Sequence, residues 1–344
     1  MATYHVPGDA ATIQGGINLA GAGDTVIVAP GTYVEALVID ESITLISSGG
    51  PLVTIIDPPS SEYYLVSIEA SNVTFSGFTV TNPDYNANAD ASGILTYNAL
   101  KKSNIHITNC IIHDIGTMTR SPVSFGTYGI NSGPVDGLEV DNTVVYNIGN
   151  GDGTSEAVGI FVWGNGPADA AENINIHDNH VYNIINPSPD NSGIRLGADT
   201  TNVIIANNTI TPTVKQGIVT SAGMIGPVTI TGNTVDGALL YGLLLRSPFP
   251  QTVTGNTIKH TVGTGILITA TSFPPEIHFN NIFGNGTGLD NQSPNIVNAA
   301  NNWWGASTGP NTPGADTVVG ITPVDFAPWL KGPYPPLVRG VSFW

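Results

Sequence analysis

Apolar residues recur along this chain in short alternating runs. Between residues 193 and 270, four such runs each begin with a glycine: Gly193–Leu196, Gly217–Thr220, Gly242–Leu245 and Gly265–Ile268. The four glycines are 24, 25 and 23 residues apart. A second run, such as Val203–Ile210, lies between successive glycines, and neither run has helical periodicity. Two strand signals per period predict one coil of a strand-only solenoid.

This periodicity resembles that of right-handed parallel β-helix proteins, the architecture of pectate lyases, phage tailspikes and many bacterial surface proteins. The resemblance covers almost the whole chain and implies an all-β fold in which each strand pairs with the coils above and below. With strands about 4.8 Å apart, on the order of eleven coils would give a rod roughly 50 Å long. Asn208, Asn233 and Asn256 recur at one turn position. There Asn tolerates a left-handed conformation and can form a hydrogen-bonded ladder, so we interpret them as structural.

The chain is predicted to be a single domain with three parts. Residues 1–23 resemble the N-terminal capping element of β-helix proteins, in which a short helix covers the open end of the core. Residues 24–300 are predicted to form the parallel β-helix, and residues 301–344 an irregular C-terminal cap and tail. The cap contains aromatic residues that suit it to cover the bottom of the core: Trp303, Trp304, Phe326 and Trp329.

The period lengthens between residues 82 and 192. Gly93, Gly129 and Gly159 are 36 and 30 residues apart, with 34 more to Gly193. The additional residues fall at one place in each coil, before the glycine. They form the segments 82–92, 116–128, 148–158 and 186–192. Insertions at the same turn of successive coils project from the same side of the rod, so they are predicted to form a cleft beside the glycine strands.

Aromatic side chains are predicted to line this cleft. If the residue after each glycine points into the core, then Tyr97, Phe161 and Trp163 occupy outward positions. Aromatic rings beside polar loops suit a sugar ring, which has apolar C–H faces and hydroxyl edges. These three residues, together with Arg246, are our candidates for carbohydrate binding. The alternative is that the loops cover the aromatic residues and bury them as a satellite core.

Two cleaving chemistries are compatible with the predicted cleft. The resemblance to polysaccharide lyases implies a basic residue beside bound calcium, which neutralises a uronate carboxylate before its α-proton leaves, and Arg195 is the best-placed candidate. Hydrolases of this fold instead use clustered carboxylates as acid and base, and Asp152, Glu156 and Asp190 lie on cleft loops. No family-specific catalytic motif is visible, so the sequence leaves open whether the protein is an enzyme.

A column of ring-bearing residues is predicted at the base of the same loops. His113, Tyr146 and Tyr182 align at one position of three successive coils. They are candidate proton-transfer groups. The alternative interpretation is a hydrogen-bonded ladder of polar residues beside a turn.

One loop segment has the spacing of a calcium-binding loop. Asp84, Asn86, Asn88 and Asp90 place side-chain oxygens at every second residue, which resembles the start of an EF-hand loop. The segment departs from that motif, because Ala89 stands where the sharp turn needs a glycine and no glutamate follows at the twelfth position. A solvated polar loop is the alternative. Calcium is thus the candidate cofactor, no organic cofactor is indicated, and the histidines form no zinc or iron motif.

Composition narrows the class of partner. The 26 acidic and 9 basic residues give a net charge of -17, which disfavours nucleic acid and anionic membrane surfaces. The same charge repels a polyuronate unless calcium bridges the carboxylates. The lone Cys110 excludes an intramolecular disulfide and is predicted to be a buried thiol. No apolar run approaches the roughly 20 residues of a membrane span, and residues 1–22 contain no signal-peptide core.

Two functions are compatible with these features. The first is an extracellular or cell-surface protein that recognises a polysaccharide in the cleft, with lyase or glycoside hydrolase activity there if it is an enzyme. The second is a non-catalytic structural or adhesive rod, such as a cell-surface or phage-fibre component, that forms oligomers through its end caps or tail. The unequal loops on one side favour a binding site, whereas the missing catalytic motif favours a rod or a non-catalytic binder. We expect polysaccharide recognition.

Overall fold

Between residues 25 and 291 the strands follow one another in a repeating order of three, and each coil contributes one strand to each of three parallel sheets, A, B and C. The computed structural model describes residues 1–83, 90–97, 100–116, 126–149, 156–185, 188, 190–212 and 214–335. The strands pair in parallel with their equivalents in the next coil, as β-strands Ala157–Val162 and Ser192–Leu196 do. The expected right-handed parallel β-helix is confirmed.

The strands are numbered here in chain order. Sheet A contains β1 Thr3–Val6, β2 Thr25–Val28, β5 Thr44–Ser47, β8 Val73–Ser76, β11 Lys102–Thr108, β14 Val135–Asp141, β17 Ala171–His177, β20 Thr200–Ala206, β23 Val228–Thr231, β26 Gln251–Thr254, β29 Glu276–His278, β32 Val297–Asn298 and β34 Val324–Asp325. Sheet B contains β3 Gly31–Tyr33, β6 Thr54–Ile56, β9 Thr79–Asn82, β12 Ile111–Ile115, β15 Val144–Ile148, β18 His180–Ile184, β21 Thr209–Ile210, β24 Thr234–Asp236, β27 Thr257–Lys259 and β30 Asn281–Phe283. Sheet C contains β4 Leu37–Ile39, β7 Tyr64–Ile68, β10 Ala91–Leu95, β13 Thr127–Ser132, β16 Ala157–Val162, β19 Ser192–Leu196, β22 Gln216–Val219, β25 Tyr241–Leu245, β28 Thr264–Ile268, β31 Thr287–Asn291 and β33 Val318–Gly320.

Each coil has three strands, whereas the sequence pattern indicated two. The first predicted run corresponds to sheet C. The second run is divided between sheets A and B, because the chain bends within it, as between β20 and β21 at Asn207 and Asn208. A two-residue bend leaves the alternation of apolar residues almost unbroken, so the two strands look like one in the sequence.

A ladder of buried asparagines holds the bend between sheets A and B. Asn208 Nδ2 donates to Asn233 Oδ1 and Asn233 Nδ2 donates to Asn256 Oδ1, both at 3.0 Å. The ladder continues to Asn179 at one end and to Asn280 and Asn302 at the other. The predicted structural role is therefore confirmed. The left-handed conformation belongs instead to the residue before each ladder position, such as Asn207 with φ 56°.

Cys110 occupies the ladder position two coils before Asn179. Its backbone N–H donates to Thr143 Oγ1, and the Thr143 N–H in turn donates to Asn179 Oδ1. The side chain is 1% exposed, and burial raises the pKa of the thiol to about 12. The prediction of a buried, unreactive thiol is thus confirmed.

The recurring glycines of sheet C lie where two coils approach most closely. A Cβ atom at Gly129, Gly159 or Gly242 would lie 2.6 Å from the carbonyl oxygen of the next glycine in the column. At Gly242 it would also lie 2.6 Å from Ile258 Cγ2 on sheet B. The glycine spacing in the sequence therefore reflects a lack of space for a side chain between sheets B and C.

Both ends of the core are covered. The short helix α1, Ile13–Leu19, places Ile13 and Ile17 in the core at 0% exposure, and the Glu35 carboxylate accepts from the Ile13 N–H at its start. At the other end Trp304 is fully buried. Phe326 and Trp329 pack against the same core. Trp303 lies beside Phe283, with ring centroids 5.0 Å apart.

Two further features complete the fold. Strands β33 and β34 extend sheets C and A into residues 318–325. A 3₁₀ helix, Pro167–Asp169, lies between β16 and β17. In the part of the chain that the structure describes, no helix is long and apolar enough to cross a membrane.

Candidate functional site

The four inserted segments all connect sheet B to sheet C. They follow β9, β12, β15 and β18 and precede β10, β13, β16 and β19. The insertions therefore occur at one corner of successive coils, as predicted. Part of each insertion lies outside the described residues, including three predicted calcium ligands, Asp84, Asn86 and Asn88, and the predicted catalytic carboxylate Asp152. For these four residues the predictions stand untested.

An aromatic and ionic group lies on the outer face of sheet C at the edge of these insertions. Phe161 and Arg195 are neighbours in register on β16 and β19. The Phe161 ring stacks on Tyr128, with centroids 5.5 Å apart and planes 14° apart. The Arg195 guanidinium carbon lies 5.8 Å from the centroid of the same Phe161 ring. Phe161 is thus held between a tyrosine ring and a cation.

Glu156 joins this group through both of its carboxylate oxygens. Oε1 accepts from the Tyr128 hydroxyl at 2.8 Å, and Oε2 accepts from Arg195 Nη1 at 2.5 Å. Burial and then the negative charge of Glu156 raise the pKa of Tyr128 well above its ordinary value, so this hydroxyl remains a proton donor at neutral pH. We refer to Tyr128, Glu156, Phe161 and Arg195 as the Phe161 cluster.

A second aromatic pair lies on the same face. The Tyr97 and Trp163 ring centroids are 5.0 Å apart, with planes inclined at 48°. Trp163 Nε1 donates to Asn131 Oδ1 at 3.0 Å. In the ladder of sheet C, Asn131 pairs with Leu95 on one side and Phe161 on the other. Asn131 therefore links the Tyr97–Trp163 pair to the Phe161 cluster.

The aromatic side chains of this face range from exposed to buried. Tyr97 is 37% exposed, Phe161 and Trp163 are intermediate, and Tyr128 is 7% exposed. The two alternatives drawn from the sequence, an open aromatic surface and a buried satellite core, therefore each describe a part of this face. The more exposed rings leave edges and faces for a ligand, and Tyr128 supports Phe161 from one side.

The ring column is present but lies on a different sheet. His113, Tyr146 and Tyr182 pair in register on sheet B and stack at centroid distances of 4.8 and 4.9 Å. Both faces of Tyr146 are therefore covered. The pKa of each tyrosine is raised, chiefly by burial, so both hydroxyls stay protonated at neutral pH. The inserted corner separates this column from the Phe161 cluster, and its role in proton transfer remains a prediction.

The remaining predicted site residues are dispersed around the insertions. Asp90 Oδ1 accepts from the Gly126 N–H at 2.7 Å and so ties the ends of two inserted segments together. Asp190 lies in the turn before β19, where its N–H donates to Ser188 Oγ. Arg246 follows β25, two coils from Arg195, or about 10 Å along the rod at the usual strand spacing. Arg246 is therefore apart from the Phe161 cluster.

Two residues of this face, Tyr128 and Asn131, were missed as site candidates by sequence reasoning. Tyr128 directly precedes Gly129, at a position that the alternation rule did not assign to the outer face. Asn131 stands at an outward position, but only its contact with Trp163 distinguishes it from the structural asparagines. The sequence signal that could have identified Asn131 is its polar side chain at an outward position between Leu95 and Phe161 of the neighbouring coils.

Comparison with known proteins places the chain in a family. The family described as "Periplasmic copper-binding protein (NosD)" matches residues 98–319. The chain belongs to the NosD family. No curated protein matches the sequence significantly.

Several solved structures share the fold of this NosD-family chain. The A-module of Azotobacter vinelandii mannuronan C-5 epimerase AlgE6 aligns over 92% of this chain and 94% of its own, with 16% identity and a TM-score of 0.53. The AlgE4 A-module from the same organism aligns over 99% and 100%, with 14% identity and a TM-score of 0.52. The Dettilon tailspike protein aligns over 93% of this chain and 68% of its own, with 14% identity and a TM-score of 0.52. Identities this low show a common fold only.

The NosD description names copper, which proteins bind through clustered His, Cys, Asp or Glu side chains. Among the residues that the structure describes, no group of three or more His, Cys, Asp or Glu side chains is arranged to hold a metal ion. The only cysteine, Cys110, has its thiol buried in the asparagine ladder. The described side chains therefore do not fit a copper centre.

Two histidines of this NosD-family chain instead form a charge network on the outer face of sheet A. His106 Nε2 contacts Asp141 at 2.8 Å, and His177 contacts Glu139 at 3.1 Å and Asp178 at 2.8 Å. The hydrogen bond to Asp141 raises the pKa of His106. For His177, burial opposes the charged form, but the hydrogen bonds to Asp178 and Glu139 together outweigh it and raise the pKa. Both imidazoles are thus stabilised as cations.

This network predicts a pH-dependent contribution to stability. Because both histidine pKa values are raised above the ordinary 6.5, the stabilisation is fully present below pH 6.5 and is lost as the pH rises through the folded-state values. We expect the double variant His106→Gln/His177→Gln to lower the free energy of unfolding at pH 6, by less than about 1 kcal/mol per partly exposed pair. At pH 8.5 the loss should be smaller. Urea denaturation at the two pH values measures it.

The matched control is His5→Gln, since the His5 side chain makes no ion pair among the described residues. It should change stability equally at both pH values. If the double variant lost as much stability at pH 8.5 as at pH 6, the histidines would not be stabilised as cations and the interpretation would be wrong.

Proposed function

We propose that this protein is a non-cytoplasmic glycan-binding protein that binds a polysaccharide on the outer face of sheet C. The observation that carries the proposal is the pairing of Phe161 with Tyr128 and of Tyr97 with Trp163 on one face, beside the inserted corner. Partly exposed rings held by neighbouring rings offer rigid apolar faces for the C–H groups of sugars. The periplasmic description of the family supports a location outside the cytoplasm, and we propose the cell surface or the periplasm.

Binding without cleavage is the activity that this geometry supports best. A general acid or base needs a free position to exchange a proton with the substrate. Both oxygens of Glu156 are already engaged, by Tyr128 and Arg195. The Arg195 charge that a lyase would direct at a uronate is directed at Glu156. The described groups therefore hold one another in place, which suits a rigid binding surface.

Replacement of Phe161 by alanine tests the proposal. The wild-type protein should be retained by at least one polymer in a polysaccharide panel by affinity electrophoresis, and Phe161→Ala should weaken this binding at least about tenfold, a loss of about 1.4 kcal/mol. Because Phe161 points outward, its loss should leave the circular dichroism spectrum unchanged. Reducing ends and unsaturated products, measured with calcium and with chelator, should stay at background.

Phe273→Ala is the control, because Phe273 is 48% exposed on a turn between β28 and β29, away from the cluster. Equal affinities for Phe161→Ala and Phe273→Ala would contradict the proposed surface. If no polymer of the panel retained the wild-type protein, the proposal would fail. The structural or adhesive rod would then become the better hypothesis. Release of reducing ends or unsaturated products would assign an enzyme activity. If the chelator abolished that release, the predicted calcium loop would be supported.

A further inference from the structure

The charges of the Phe161 cluster are already balanced. Arg195 is the described cation within the Phe161 cluster, and it forms an ion pair with Glu156 while its guanidinium lies over Phe161. A uronate carboxylate would have to displace Glu156, which would leave one carboxylate partly buried without its partner. Anion binding here would therefore lose about as much charge pairing as it gains.

The lysines that follow Tyr97 in the chain are also engaged. Lys101 Nζ forms an ion pair with Glu172. Lys102 is 5% exposed, and its Nζ donates to Leu100 O. Neither side chain offers an open ammonium group to a ligand on the aromatic face.

The inserted segments are acidic in sequence. They contain five carboxylates and one basic residue, Arg120, which lies outside the described residues. The five are Asp84, Asp90, Asp152, Glu156 and Asp190. In a protein whose net charge is -17, this excess repels an anionic polymer over the screening length of about 8–10 Å.

The polar group that does lie between the aromatic residues is uncharged. Asn131 Oδ1 accepts from Trp163 Nε1, which fixes the orientation of the amide. The Asn131 side-chain N–H groups donate to no residue in the described part of the chain. Asn131 is partly exposed and has Phe161 beside it in register. A fixed amide beside aromatic rings suits a sugar hydroxyl, which accepts a hydrogen bond without bringing a charge.

We infer that the ligand is an uncharged glycan, with Asn131 donating to one of its hydroxyl groups while the rings stack on its C–H faces. This inference rests on the proposed glycan-binding function and deepens it. It also assigns Arg195 as a positioning residue that holds Glu156 and the Phe161 ring, in place of a role as counter-charge for a uronate.

The test compares neutral and acidic polymers on the same protein. Binding to β-glucan, mannan and xylan, and to alginate and polygalacturonate, is measured by affinity electrophoresis at 50 and 300 mM NaCl, with calcium and with chelator. We expect retention by at least one neutral polymer, with affinity changing less than about twofold with salt because no charge pairs form. Alginate and polygalacturonate should not retain the protein under any of these conditions.

Asn131→Ala is the specific variant, and it should weaken binding of the neutral polymer about tenfold. Asn175→Ala is its control, since Asn175 is a partly exposed asparagine on β17 in sheet A and should bind as wild type does. Equal affinities for these two variants would overturn the assignment of Asn131.

Two outcomes separate this inference from the proposed function. Retention by a polyuronate, lost in Phe161→Ala and weakened by salt or chelator, would overturn the uncharged ligand and leave the glycan-binding surface in place. An Arg120→Ala variant would then show whether the loop arginine supplies the charge. Retention by no polymer would overturn both.

Discussion

Replacement of Asn233 by alanine is expected to lower the free energy of unfolding by about 2–4 kcal/mol, since each buried polar group left without a partner costs about 1–3 kcal/mol. Asn233 is 1% exposed at the middle of the asparagine ladder. Its Oδ1 accepts from the Asn208 N–H and from Asn208 Nδ2. Its Nδ2 donates to the Ile205 carbonyl at 2.8 Å. Alanine would remove the acceptor of the Asn208 N–H and the side-chain donor to the Ile205 carbonyl in a site closed to water. Asn208 Nδ2 would keep only its bond to the Ile176 carbonyl.

The same substitution at Asn298 is the control. Asn298 is exposed on β32, and its amide donates to Glu276 at the surface. Asn298→Ala should change the free energy of unfolding by less than about 0.5 kcal/mol. Urea midpoints of the two variants measure the difference. If Asn233→Ala unfolded at the same urea concentration as Asn298→Ala, the ladder would not be a source of stability.

Replacement of Gly242 by alanine is expected to lower the free energy of unfolding by about 1–3 kcal/mol, the usual cost of adding a methyl group where there is no space. The new Cβ would lie 2.6 Å from Gly265 O and 2.6 Å from Ile258 Cγ2. The carbonyl oxygen belongs to the adjacent strand β28, and it cannot move away without disturbing the ladder of sheet C. Thermal and urea denaturation of the variant measure the effect.

Gly332→Ala is the matched control for this effect. A Cβ atom at Gly332 would meet nothing within 4 Å, so the variant should be as stable as the wild type. A Gly242→Ala protein with wild-type stability would mean that the two coils separate at little cost, and close approach would no longer explain the glycine period.

These two predictions concern the scaffold, and the binding face depends on the same features. The glycine column positions sheet C against sheet B, and the asparagine ladder fixes the bend between sheets A and B. The insertions occur at the corner between sheets B and C, where the chain can lengthen without interrupting the glycine column or the asparagine ladder. Long loops therefore vary at this corner while Phe161 and Arg195 remain on regular strands.

The sequence predicted the fold in detail because the fold repeats. Each coil has the same apolar alternation, the same glycine and often the same asparagine, so weak local signals add up over many coils. It predicted the insertions for the same reason, since a longer interval between glycines is visible without any structure. The division of the second run into two strands was missed, because a bend of two residues does not disturb the alternation.

The site was predicted less completely, because its contacts join residues from different coils. Phe161 and Trp163 were found from their outward positions. Tyr128 was not found, and its role depends on stacking with Phe161 and on donating to Glu156, 28 residues later. The sequence also aligned His113, Tyr146 and Tyr182 in one column of the second run, and in the structure this column belongs to sheet B.

The sequence by itself determined that this chain is a β-solenoid with a lengthened corner, because period and alternation are properties of a linear pattern. Only the tertiary structure decided what the charged and aromatic side chains do. Arg195 is a candidate counter-charge in the sequence, and it becomes the partner of Glu156 only when residues 39 positions apart are brought within hydrogen-bonding distance. Asn131 resembles the other asparagines until Trp163, 32 residues away, donates to it. Such pairings depend on distances between coils, which a linear pattern does not contain.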